Sequence, residues 1–263
     1  MKYDIEPFVR RFGQYAAGFA APGAELAFAH RLKIKHTMEV LDFARRIMRG
    51  EDVTDSRRFF TGELAALFHD LARFRQYERF HTFRDNPEFN HGHAAADMLE
   101  TGGWLEDVDP AIAAEAVYTV RHHNARTLPD DLPQAYAFTA KLVRDADKLS
   151  IYHVVLDYFR HRDEYDRDPA VSLELPETPA VSRELIALIR RGETGDYRKL
   201  ACVNDFLVNL FGWINDFNFP AAKKLLIERN IFPQIRELLP PDAEIDALCR
   251  ETVRRAADGG KDM

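Results

Sequence analysis

The stretch LAALFHDLARF, residues 64–74, sets the apolar run Leu64, Ala65, Ala66, Leu67 and Phe68 directly against His69 and Asp70. An imidazole and a carboxylate at the inner end of so apolar a stretch cost free energy unless a partner satisfies them. Asp55 or Ser56, either a good N-cap, begins the helix that carries the run. The pair points to something that both side chains hold, with help from elsewhere in the chain.

Around this stretch the periodicity is helical almost throughout. Phe8, Phe12, Tyr15 and Phe19 recur at helix spacing, and a second helix runs from about Ala24 to Met48, with Gly50 placed as a stop. Residues 75–90, RQYERFHTFRDNPEFN, mix aromatics with charge around Pro87 and read as a loop. Helices follow from near His91 to Gly102 and Gly103, and from Asp109–Pro110 to about His123. After TLPDDLP another spans Gln134 to Phe159.

Residues 161–179 contain Pro169, Pro176, Pro179 and the acidic group Asp163, Glu164, Asp166 and Asp168, and read as an exposed excursion. The remainder gives three or four more helices, including DFLVNLFGWINDF and AAKKLLIERN. Strand-like alternation is nearly absent. The expected fold is all-α: a single domain over 1–263, with its core at about 25–160 and an additional helical segment at about 180–263.

Composition narrows the class. Of 263 residues, 46% are hydrophobic and 30% charged, ordinary for a globular chain. The net charge of −7 argues against a nucleic-acid polymer as main partner, yet allows a local basic pocket. The two cysteines, Cys202 and Cys249, lie in apolar helical stretches and suggest no disulfide framework. MKYDIEPFVRRFG lacks the apolar run of a signal peptide, and no segment approaches a membrane span. A cytoplasmic location is the expectation.

Potential metal ligands fall on separate helices: His36, the pair His69 and Asp70, His91 or His93, His122 or His123, and Asp145 or Asp147. A helical bundle can gather such side chains into its interior. Imidazole with carboxylate suits Mn, Fe, Co, Ni or Zn and, with fewer nitrogens, Mg. His91, Ala95 and Leu99 share one helix face, from which His93 points away. His30, His153 and His161 match no pattern and read as structural. Arg190, Arg191, Lys223 and Lys224 read as solvated helix faces.

The ordered series resembles the HD-domain metal-dependent phosphohydrolases, whose pattern is a His, an adjacent His-Asp, and a later Asp. The matching positions are His36, His69, Asp70 and Asp147. Asp147 is preferred over Asp145 because the family places its ligand directly before a basic residue, as in RDADKLS. The phrases HDLARFRQYERFHTF, NHGHAAADML, VRHHNARTLP and LVRDADKL are similar to a bacterial HD subgroup with two further histidines, here His91 and His123. Roughly residues 30–160 carry the resemblance.

The resemblance implies a helical bundle holding one divalent ion, or two, with Asp70 as ligand and, in a two-ion version, as bridge. It implies Lys148 as phosphate contact. Arg73, one turn after His69, adds a second cation, and Arg144, Arg79, His122 and His93 are candidate substrate contacts. His81 could help close the pocket, and Tyr77, Phe80 and Phe83 are aromatics that a base could stack on. The implied activity is hydrolysis of a phosphate ester in a nucleotide or similar small metabolite, by a chain that could pair as a homodimer. Two other classes are open: an HD-type di-iron oxygenase, which His91 and His123 make conceivable, and a non-catalytic metal-binding module.

Overall fold

The computed structural model describes residues 3–161 and 175–258. Among these no strand forms; a single isolated antiparallel bridge joins Asn86 and Phe89. The all-α expectation holds. Most of the 161–179 excursion, including its acidic group, lies outside the described residues. No helix among those described is long and apolar enough to cross a membrane.

The chain divides into two compact units, residues 1–150 and 151–263. The division falls inside a helix, whereas composition places the change of character after 160. The first unit contains α1 (Glu6–Ala17), α2 (Phe28–Gly50), α3 (Ser56–Phe68), α4 (Arg73–Phe80), α5 (His91–Thr101), α6 (Pro110–His122) and most of α7 (Ala137–Arg160). Its centre is α3, where every residue from Phe60 to Phe68 is buried. A stretch buried all round has no solvent face, so it belongs inside a bundle, while Ser56, Arg57 and Arg58 at the helix start stay exposed. It packs on α1, α2 and α6. Each fully buried Leu or Phe contributes on the order of 1.5–3 kcal/mol.

Local chemistry fixes the helix ends. Asp55 caps α3 by accepting the Arg57 and Arg58 amides at 2.9 and 3.4 Å. Asn90 caps α5 and Asp109, followed by Pro110, caps α6. α2 begins at Phe28, later than the sequence suggests, and includes Gly50; the left-handed residue beyond it is Asp52, with φ 51°.

Part of the expected 75–90 loop is helical. α4 covers Arg73–Phe80 and buries Phe74 and Gln76, with Arg75, Glu78 and Arg79 exposed on its outer face. His81, left-handed at φ 52°, ends it, and the loop proper runs from 81 to 90. Residues 134–136 form a short 3₁₀ turn before α7.

The second unit contains the end of α7 and then α8 (Arg183–Arg190), α9 (Val203–Gly212), α10 (Pro220–Glu228), α11 (Ile231–Glu237) and α12 (Ala243–Asp258). Among the described residues that is five α-helices where three or four were expected, since left-handed Asn230 (φ 53°) separates α10 from α11. α12 packs against all four others. Buried Asp205 accepts the amides of Ser182 and Ala201, and the Tyr152 hydroxyl donates to the Leu210 carbonyl at 2.7 Å.

Candidate metal centre

The residues between α3 and α4 make a tight turn, with Leu71 N–H donating to Phe68 O and Arg73 N–H to Asp70 O. This turn leaves His69 and Asp70 at the C-terminal end of the most buried helix. His123 occupies the same place on α6. Both helix ends carry the negative pole of the backbone dipole, which favours a cation.

Four imidazoles converge here through Nε2. His36 and His69 approach to 3.2 Å, and His91 and His123 to 3.1 Å, Nε2 to Nε2. Each ring gives Nδ1 to a fixed partner. His69 Nδ1 donates to Ala66 O at 2.8 Å and His123 Nδ1 to Val120 O at 2.7 Å, the carbonyls three residues back in their own helices. His36 Nδ1 meets Ser150 Oγ at 2.9 Å, which itself donates to Glu39 at 3.0 Å. His91 Nδ1 meets both oxygens of Asp85, at 2.8 and 2.7 Å. A carbonyl or carboxylate can only accept, so the Nδ1 atoms of His69, His123 and His91 carry the hydrogen and their Nε2 lone pairs face inward, whereas His36 Nε2 faces the Asp147 and Asp70 carboxylates.

Asp70 divides its carboxylate between the two pairs. Oδ2 lies 3.4 Å from His36 and 3.6 Å from His69, while Oδ1 lies 3.4 Å from His91 and 3.8 Å from His123. Asp147 Oδ1 joins the first pair, 3.1 Å from His36 and 3.7 Å from His69. Three overlapping groups of donors result: His36, His69 and Asp70; His69, His123 and Asp147; and Asp70, His91 and His123.

Lone pairs meeting at about 3 Å repel unless a cation lies between them. Nitrogen and carboxylate donors in this arrangement fit one or two divalent ions, and the side chains are poised for it. Burial holds the His69 pKa down at about 4 and that of His91 at about 3. Burial and Lys33 push His36 down, but its bonds to Asp147 and Asp70 outweigh them and its pKa is raised. Burial opposes ionisation of Asp70, yet Lys33, His69 and Arg73 hold its carboxyl well below the usual range. Asp147 is likewise depressed, its bond to His36 overcoming burial.

Other expected residues lie elsewhere. Asp145 is buried but outside the three donor groups. His93 is exposed, and His122 packs at a tilt against Tyr118, with ring centroids 4.5 Å apart. Arg79 is 63% exposed and pairs with Glu88 at 3.6 Å. Arg144, expected to touch substrate, is buried; it donates to the carbonyls of His123 (3.1 Å), Ala125 and Arg126 (3.2 Å) and so holds the chain beyond His123. Arg73 donates to Asp70 Oδ1 at 3.2 Å, Gln76 at 2.7 Å and Phe83 O at 2.5 Å, a scaffold position. Lys148 is half-buried, next to Asp147 on α7. His30, outside the cluster, packs among Phe19, Phe74 and Tyr77.

Four participants escape sequence reasoning. Lys33 places Nζ 2.7 Å from Asp70 Oδ2 and 4.9 Å from the Phe83 ring centroid. Burial lowers its pKa, against the pull of Asp70. Asp85, Ser150 and Glu39 stand behind the imidazoles. A groove of about 590 Å³ lined by Leu99, Ala113, Val117 and Tyr118 opens near the far end of α5 from His91 and is separate from the cluster.

Comparison with protein families matches the HD domain over residues 34–152. No curated protein and no solved structure gives a significant match.

Proposed function

Residues 34–152 of this chain are an HD domain, and from that premise we propose that the protein is a metal-dependent phosphohydrolase acting on a phosphate ester of a nucleotide or similarly small metabolite. The observation that carries the reading is the division of Asp70: one oxygen faces His36 and His69, the other His91 and His123. His36, His69, Asp70 and Asp147 would hold one divalent ion, and Asp70, His91 and His123 a second. Such ions, when bound, supply Lewis acidity toward phosphoryl oxygens and lower the pKa of water.

The chain's own side chains set access and charge. Asp147 is 18% exposed, against 5% or less for Asp70 and the four histidines. Asp147 is thus the most exposed of these side chains and the side from which a small ester would approach. Lys148, following Asp147, and Lys33, against Asp70, supply positive charge for phosphoryl oxygens; Arg73 and Arg144 hold the framework.

The test is phosphate release from a panel of nucleotides and sugar phosphates by metal-loaded protein and by Asp70→Ala. The variant should lose both bound metal and activity; an active variant would sink the mechanism. Iron-dependent oxygen uptake without phosphate release would instead favour the oxygenase reading.

A further inference from the structure

We infer that Asp85 is the positioning residue that makes the second cation half-site, the one formed by His91, His123 and Asp70. The inference rests on the metal-binding reading above and concerns a residue outside the donor set.

The imidazoles sit at different places on their helices. His69 and His123 follow the last turns of α3 and α6, so the helix itself offers the carbonyl three residues back. His91 is the first residue of α5 and has no preceding turn. Its Nδ1 hydrogen must be taken from outside the helix, and Asp85, in the 81–90 loop, takes it. The same carboxylate accepts the His91 backbone amide at 3.3 Å. One loop residue thereby fixes both the tautomer of His91 and the start of α5.

Charge makes this residue matter further. The positive pole of α5 lies at His91, where a cation is disfavoured, unlike the C-terminal poles beside His69 and His123. Lys33 and Arg73 add two positive charges beside Asp70. The first half-site meets this with two carboxylates, Asp70 and Asp147; the second has only its share of Asp70. Asp85 provides the missing negative charge one hydrogen bond away.

The loop is built to hold it. Gln76 Nε2 donates to Asp85 Oδ1 at 3.2 Å, Asn124 Nδ2 donates to Oδ2 at 3.0 Å, and Arg73 lies 3.4 Å from Oδ1. Arg73 therefore fastens both carboxylates that flank His91, Asp70 at Nε2 and Asp85 at Nδ1. Partners behind metal-ligating imidazoles typically change metal affinity 10- to 100-fold when removed.

The experiment is Mn²⁺ titration of the chelator-stripped full chain, followed by calorimetry and by the electron paramagnetic resonance of the coupled ion pair. Wild type should take up two ions. Asp85→Ala should weaken the second by about 10- to 100-fold, leave the first within about threefold, and convert the coupled signal to that of a single ion. Asp85→Asn keeps an acceptor for the Nδ1 hydrogen and removes the charge; an intermediate loss is expected, and this variant decides the matter if Asp85→Ala does not fold. Two ions bound unchanged in both variants, or both ions weakened alike, would overturn the assignment. A wild type that holds only one ion would overturn it too while leaving the hydrolase reading intact; a wild type that holds none overturns both.

Discussion

His91 and His123 present Nε2 atoms to each other at 3.1 Å while each donates its Nδ1 hydrogen elsewhere, to Asp85 and to the Val120 carbonyl. Two inward lone pairs at that distance raise the energy of the metal-free protein. His36 and His69 bring their Nε2 atoms to 3.2 Å, with the Asp70 and Asp147 carboxylates beside them. The folded state therefore gains from any cation that the unfolded chain cannot bind.

The first prediction follows by mass action. A ligand present at one hundred times its Kd stabilises the native state by about 2.7 kcal/mol. For a unit of this size that is a rise in Tm on the order of 5–10 °C. Differential scanning calorimetry of chelator-stripped protein with and without Mn²⁺, Fe²⁺ or Zn²⁺ measures it. The same rise with Na⁺ in place of a divalent ion would show that the cluster is not selective.

Arg144 gives a prediction opposite to its sequence-based role as a substrate contact. Its guanidinium satisfies three backbone carbonyls immediately after His123. Arg144→Ala leaves the buried His123 carbonyl and two part-buried ones without this donor and should cost about 1–3 kcal/mol, with Tm falling on the order of 2–12 °C. Arg144→Lys should recover little, because one ammonium does not match a fork of planar donors. A variant with unchanged Tm and raised KM would return Arg144 to the substrate.

The contrast shows what sequence carries and what it does not. His69 and Asp70 stand out because a polar pair ends an apolar helix, and His36, His91, His123 and Asp147 follow from their order along the chain. Asp85 and Lys33 act through contacts set by tertiary approach. Lys33 lies 37 residues from Asp70 in sequence, and no spacing rule joins them. Asp85 had a faint signal: an acid in a loop six residues before a histidine that opens a helix. Arg73 and Arg144 were legible as cations near ligands, but the carbonyls they serve depend on where the loops after Phe80 and His123 pass. α4 was hidden by its four charged residues, which reveal an amphipathic helix only once Phe74 and Gln76 are seen to face inward.

In the second unit, Asp242 predicts a pH dependence. Its carboxylate accepts the Glu244 and Ile245 amides at 2.8 and 3.1 Å, capping α12, and pairs with Arg183 at 2.5 Å. The Arg183 bond, with the Ile245 amide, holds its pKa well below the usual carboxylate value. A depressed folded pKa means stability that is complete above the unfolded value, about 3.9, and is lost as pH falls toward the folded one. The Tm gap between wild type and Asp242→Asn should be largest near neutral pH and close on acidification below about pH 4. A gap that does not change with pH would show that the charge contributes nothing beyond the cap.

Gly92 separates helix propensity from packing at the site itself. Alanine in place of glycine inside a helix ordinarily stabilises by up to about 1 kcal/mol. At Gly92 a Cβ would lie 2.6 Å from Asn124 Oδ1 and 3.1 Å from the Arg121 carbonyl, part of the α6 backbone. Asn124 is itself tied to Asp85 and Asn90, so it cannot swing aside without releasing the carboxylate behind His91. Overpacking of this kind costs about 1–3 kcal/mol, and relief comes by moving α5 away from α6, which separates His91 from His123. Gly92→Ala should therefore lower Tm and weaken the second Mn²⁺ more than the first, both measurable on one preparation. A variant that melts higher than wild type and binds both ions normally would show that the two helices have room to spare at this point.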